Sequence, residues 1–258
     1  MTDSTIRREV TGGLWVLTLN RPARRNPLDT AMRAELTAAL REAADHARCV
    51  VLTGAGGAFC SGQDLADRTD LAGHDAERTL AEEYLPLLRA VADCPAPVIA
   101  AVGGAAAGAG ANLALGCDVV IAAESAVFLQ AFTRIGLLPD AGGTYWLPRQ
   151  VGAARAMGAA LFAEPVTARQ AADWGMIWEA VPDDAFEAHW RARAEALAAG
   201  PSVALAAVKQ ALRASAANGF EDQLALEGRL QGRCAATGDF REGVAAFLDK
   251  RAPRFTGR

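Results

Sequence analysis

Residues 14–19, Leu-Trp-Val-Leu-Thr-Leu, are apolar almost throughout and stop at Asn20, Arg21 and Pro22, a pattern that predicts a strand. The period then changes. Met32, Leu36, Leu40 and Ala43 recur on one helical face behind Asp29, a residue able to cap a helix running to about His46. A short apolar run over 49–53 ends at Gly54-Ala55-Gly56-Gly57; without alternation it suits a strand covered on both faces. Residues 80–92 read as a helix. Pro95 and Pro97 introduce a second buried strand over 98–102. A small-residue stretch, 103–111, leads into Asn112-Leu113-Ala114-Leu115. A third strand is predicted over 119–122, and another begins at Val127-Phe128. Strand and helix alternate, as in an α/β core. After Gly200 only helical patterns remain, over 201–217 and 221–236, and then a third that Asp239-Phe240-Arg241-Glu242 would open as a capping box. The predicted organisation is a core over 1–200 and a helical region over 201–258.

Composition narrows the class. At 52% apolar and 22% charged, the 258 residues can build a large core and are not disordered. Net charge is −4 with no Lys/Arg block, so no nucleic-acid partner is expected. The five cysteines show no C-x-x-C spacing, which argues against a zinc site or a redox dithiol and fits a reducing cytoplasm. No apolar leader opens the chain, and no uninterrupted apolar run reaches about 18 residues, so no membrane partner is expected and the location is read as cytoplasmic. The dinucleotide fingerprint fails because Phe59 stands where its third glycine belongs. Walker A, G-x-S-x-G and H-E-x-x-H are absent, and His46, His74 and His189 are scattered.

Three segments remain as candidate chemistry. Phe59-Cys60-Ser61-Gly62-Gln63-Asp64-Leu65 follows a buried strand; its turn offers backbone N–H groups to a polarised carbonyl, or is a plain turn with Asp64 capping the next helix. Residues 103–110 follow the next strand, and their small side chains allow close approach of a ligand or of a neighbouring helix. In residues 136–144, Asp140 lies between apolar residues and two glycines. It either caps a helix at Gly142 or is a carboxylate of raised pKa that carries a proton.

Taken in order, these segments resemble the crotonase (enoyl-CoA hydratase/isomerase) superfamily. Asn20 to Asn26, the Gly62 turn, Gly104 to Gly110, Cys117-Asp118 and the Gly-Gly-Thr after Pro139 carry the resemblance. It implies a spiral of strand–strand–helix units followed by a helical trimerisation region, hence a homotrimer or dimer of trimers. It also implies an acyl-CoA substrate, with coenzyme A as part of the substrate and no metal or other cofactor. The backbone N–H groups of Gln63 and Ala109 would hold the thioester oxygen. Asn112 and Phe132 match the two glutamates that hydratases use, so water addition by that pair is not expected. Asp140 matches the aspartate of several isomerases and a dehalogenase. Arg24, Arg25, Gly62, Asp64, Leu65 and Lys250 would complete the substrate site, Lys250 from a neighbouring subunit. Residues 62–68, 174–178 and 239–244 are similar to the ring-1,2-epoxyphenylacetyl-CoA isomerases of phenylacetate degradation. The resemblance therefore implies an isomerase, with other family enzymes or a degenerate acyl-CoA-binding protein as alternatives.

Overall fold

The computed structural model describes residues 4–67 and 75–258. Strands β1 (Ile6–Thr11) and β2 (Leu14–Leu19) form an antiparallel hairpin, and α1 (Thr30–His46) follows with the Asp29 carboxylate accepting from the Met32 N–H. Three successive units then repeat one plan: a strand, a second short strand, a helix. The first holds β3 (Cys49–Gly54) and β4 (Ala58–Cys60), then α2 (Ala76–Thr79), a π-turn over Leu80–Tyr84 and α3 (Leu85–Ala92). The second holds β5 (Val98–Val102), β6 (Ala105–Ala107) and α4 (Ala109–Leu115). The third holds β7 (Val119–Ala123), β8 (Val127–Leu129), a 3-10 turn over Ala131–Ile135 and α5 (Gly143–Phe162). Then come β9 (Val166–Thr167), α6 (Ala168–Asp173), β10 (Glu179–Val181), α7 (Phe186–Ala198), α8 (Ser202–Ser215), α9 (Phe220–Ala235) and α10 (Gly238–Leu248).

The first strand of each unit joins one sheet, in the order β1-β2-β3-β5-β7-β10, and the second joins another, β4-β6-β8-β9. This is the strand–strand–helix spiral of the crotonase fold. The long strands are buried on both faces. Leu17, Leu52 and Ala100 pack toward the helices of the spiral, while their neighbours Val16, Val51 and Ile99 pack against Trp190 and Ala194 of α7. The unbroken apolar runs in the sequence have this cause.

One expected cap is not formed. Thr237 caps α10 through its hydroxyl, and Asp239 lies inside the helix, 3% exposed, accepting from the N–H groups of Thr256 and Gly257. The D-x-x-E segment is therefore no capping box: Asp239 anchors the C-terminal tail and Glu242 pairs with Arg251. Asp64 accepts from the Ala66 N–H at 3.0 Å within a turn and opens no helix among the described residues. Arg68 and His74 lie outside them.

Candidate active site

The ends of β4 and β6 bring two turns together. Leu28 pairs with the first: its N–H donates to the Gly62 carbonyl at 2.7 Å, and its carbonyl accepts from Asp64 at 3.1 Å. In a parallel pairing, the residue between two such bonds turns its own N–H to the opposite side, so that of Gln63 faces away from Leu28. Gly62, at φ +94°, packs against the second turn. A Cβ there would lie 2.8 Å from the Ala107 carbonyl and 3.4 Å from the Ala109 nitrogen, so only glycine fits. Ala109 is the first residue of α4, whose opening N–H groups have no acceptor in the helix. Two backbone donors thus lie on adjoining turns of separate segments, and stabilising a developing oxyanion calls for donors of this kind.

The Gln63 side chain is fixed from behind. Its Oε1 accepts from the Tyr84 hydroxyl at 2.5 Å and from Arg33 Nη1 at 3.0 Å. Arg33 is 1% exposed; it also bonds the Leu28 carbonyl and the Glu83 carboxylate, and lies 5.1 Å from the Tyr84 ring. Sequence reasoning missed both Arg33 and Tyr84. A signal existed for the arginine, which sits three residues before Leu36 and seven before Leu40 on the apolar face of α1. Nothing comparable marks Tyr84, which closes the π-turn.

Asp140 opens a tight turn. Its carbonyl accepts from the Gly143 N–H at 2.8 Å around Ala141 at φ +48° and Gly142 at φ +84°. Gly142 itself occupies the N-cap of α5, with no side-chain cap, so the Asp140 carboxylate does not cap that helix. Carboxylate Oδ1 is buried without a hydrogen-bond partner among the described residues. Burial pushes the Asp140 pKa up to about 6, opposed only by a hydrogen bond to its own backbone. The Tyr84 phenol is pushed up by burial first, then, against the pull of Arg33, by the charge of Asp140. The two groups thus feel each other across the site.

Around this centre, Phe132 is 6% exposed, with its ring 3.8 Å from where a Cβ on Gly108 would lie. Asn112 is wholly buried, with both ends of its amide engaged within the protein. Asp64 is buried and pairs with Arg21 at 2.7 Å. Burial opposes ionisation there, but the Arg21 and Ala66 hydrogen bonds and the charges of Arg21 and Arg24 hold the carboxyl below its usual range. Arg24 and Arg25 are exposed beside this pair, Arg24 at 4.0 Å from Asp64, and Leu65 is exposed as well. Lys250 is exposed at the end of α10, and no hydrogen bond or ion pair joins it to the others. Asn26, part of the Asn-Arg-Pro segment, is buried and structural: its amide donates to the carbonyls of Ala55 and Ala58 at 2.9 Å and steadies the turn before β4.

Two backbone donors on adjoining turns and a half-buried carboxylate of raised pKa are parts from which a site for a developing oxyanion can be built. Residues 9–258 match the enoyl-CoA hydratase/isomerase family, and the chain belongs to it. A Rhodobacter capsulatus protein named "Probable enoyl-CoA hydratase" is 64% identical, with 100% of both chains covered. The 1,2-epoxyphenylacetyl-CoA isomerase of Escherichia coli is 48% identical, with 98% of each covered. The solved enoyl-CoA hydratase of Bacillus anthracis superposes with a TM-score of 0.92 at 33% identity, covering 98% of this chain and 100% of that one.

Proposed function

We propose that this enzyme is an acyl-CoA isomerase that moves a double bond by carrying one proton through a thioester enolate, with 1,2-epoxyphenylacetyl-CoA as its substrate. The observation that carries the reading is a half-buried carboxylate, Asp140, pushed up to a pKa of about 6 by burial, whose charge is felt by the Tyr84 that holds the Gln63 side chain. The likeness to the Escherichia coli isomerase supports the acyl group.

The Asp140 carboxylate takes a proton from the carbon next to the thioester, and the C–H electron pair delocalises onto the thioester oxygen. The N–H groups of Gln63 and Ala109 stabilise that oxyanion by about 3–4 kcal/mol each. The proton then returns to a distal carbon, the double bond shifts, and Asp140 is an anion again. For the epoxide, which opens to its oxepin form, the product is an oxepin-ylidene acetyl thioester with every atom retained. Phe132 keeps water from the enolate. No metal or redox cofactor enters these steps, because the proton is moved and not consumed. Arg24, Arg25 and a neighbouring subunit's Lys250 would meet the coenzyme A phosphates, and the enzyme would work in the cytoplasm.

The name of the Rhodobacter capsulatus relative favours a second reading, a hydratase. Against it stand Asn112 and Phe132 at the positions of the hydratase glutamates, since neither side chain can carry a proton to or from water. The test is Asp140→Asn. The replacement keeps the shape but carries no proton, so turnover should fall by at least ~10²-fold, with acyl-CoA affinity little changed. Unchanged turnover would end the proposal.

A further inference from the structure

We propose that Gln130 and Asn112 form an amide clamp that holds the Asp140 turn in its working geometry. Both are positioning residues, and the inference rests on the reading of Asp140 as the proton carrier.

The clamp is two hydrogen bonds in series. Gln130, just after β8 and 3% exposed, donates from Nε2 to Asn112 Oδ1 at 2.8 Å. Asn112, in α4 and wholly buried, donates from Nδ2 to the Asp140 carbonyl at 2.7 Å. Chemistry fixes the direction of both amides. A backbone carbonyl only accepts, so the Asn112 nitrogen must face it; the Asn112 oxygen then faces Gln130 and requires the Gln130 nitrogen there.

Two features argue against simple packing. Gln130 Oε1 is buried with no hydrogen-bond partner among the described residues. An orphaned buried acceptor is destabilising, and a methionine of similar length would fill the same space without one. What glutamine adds at this position is the Nε2 donor. The second feature is the turn itself. Ala141 sits at φ +48°, where a Cβ is sterically disfavoured, so the turn persists only if its surroundings hold it. Gly143 makes room for the holder: a Cβ there would lie 2.3 Å from Asn112 Nδ2. The Gly-Gly pair after Asp140 thus has two separate causes, a left-handed backbone at Gly142 and the seat of the Asn112 amide at Gly143.

The clamped carbonyl and the carboxylate belong to one residue, at the head of the turn that the clamp holds. Fixing the turn therefore aims the base. Tyr84 is the facing titratable group that feels the Asp140 charge, and no cation forms an ion pair with Asp140 among the described residues.

The experiment compares Gln130→Met, Asn112→Leu and the double variant with the unmodified enzyme. Measured on acyl-CoA isomerisation, each single change should lower kcat by about 10–100-fold, the scale for a displaced catalytic group, with KM nearly unchanged. The double variant should be no slower than Asn112→Leu. Gln130→Met should leave the melting temperature nearly unchanged, because the orphaned acceptor it removes at Gln130 Oε1 offsets the one it leaves at Asn112 Oδ1. NMR of labelled aspartate carboxyls gives the independent readout, with Asp140 assigned by its loss in Asp140→Asn. In both single variants it should titrate below its position in the unmodified enzyme, since a released turn admits water to the carboxylate. A Gln130→Met enzyme with unchanged kcat and unchanged titration would overturn the clamp. If the unmodified enzyme isomerises no acyl thioester, the proposed activity fails, and the titrations alone still decide the clamp.

Discussion

Burial would suit Asp140 to the proposed role of base, and it also weighs on the fold. Its folded pKa, about 6, lies above the ordinary 3.8, because the ionised form is disfavoured in the protein. The linkage has a definite sign. Below the ordinary value the group is protonated whether folded or not; as pH rises toward 6, the folded state is increasingly penalised, and the penalty is complete above that. Asp140→Asn should therefore melt higher than the unmodified protein at neutral pH, with the difference shrinking to nothing toward the lower end of that window. Melting temperatures recorded across pH check this; a constant difference would mean that Asp140 is not shifted. Activity has the opposite dependence, since the base must be ionised, and kcat/KM should decline below about pH 6. At this scale the sequence pointed to some residues of the proposed site and not to others. Asp140, Gly62 and Ala109 stand in glycine-rich turns whose order is diagnostic. Arg33, Tyr84 and Gln130 belong to the site only because α1, the π-turn and β8 converge on it, and no local pattern records that convergence.

Elements with one strong period were the readable ones. Strands β2, β3, β5 and β7 are apolar runs because both faces are covered, and α1 shows its apolar stripe and Asp29 cap. Strand β1 escaped because only Ile6 is buried; its charged, exposed residues suit a sheet edge. Strands β4 and β6 are three residues each, too short to show any period. The last helices raise a different question. Val208 and Leu212 of α8, Phe220 of α9, and Phe247 and Leu248 of α10 are exposed, Phe247 at 82%. Lys209 and Arg213 of α8 meanwhile tie the helix to Asp118 of the core at 2.7 Å, so the apolar side chains are held outward. Apolar surface on this scale calls for a partner, and further copies of the chain are the expected one. Light scattering at micromolar concentration should give a trimer or a dimer of trimers; a monodisperse monomer would contradict the assignment.

For the molecule as a whole, the spiral distributes the parts of the proposed site over its three units. The first unit supplies Gln63, the second Ala109 and Asn112, and the third Phe132 and Asp140. The α/β class could be read from the alternation of elements, whereas the spiral and the candidate site were expected from the resemblance that the order of the turns carries. The placement also bears on what the enzyme does with a thioester. One proton-carrying group on one face can shift a double bond; it is poorly equipped to add water, which needs a second. The most direct measurement is the product formed from 1,2-epoxyphenylacetyl-CoA in water labelled with heavy oxygen, followed by mass spectrometry, with crotonyl-CoA as the companion substrate. Isomerisation by a single proton carrier predicts a product of unchanged mass, free of the label, from the epoxide and negligible hydration of crotonyl-CoA. A labelled product heavier by one water, formed from either substrate at an ordinary hydratase rate, would contradict it.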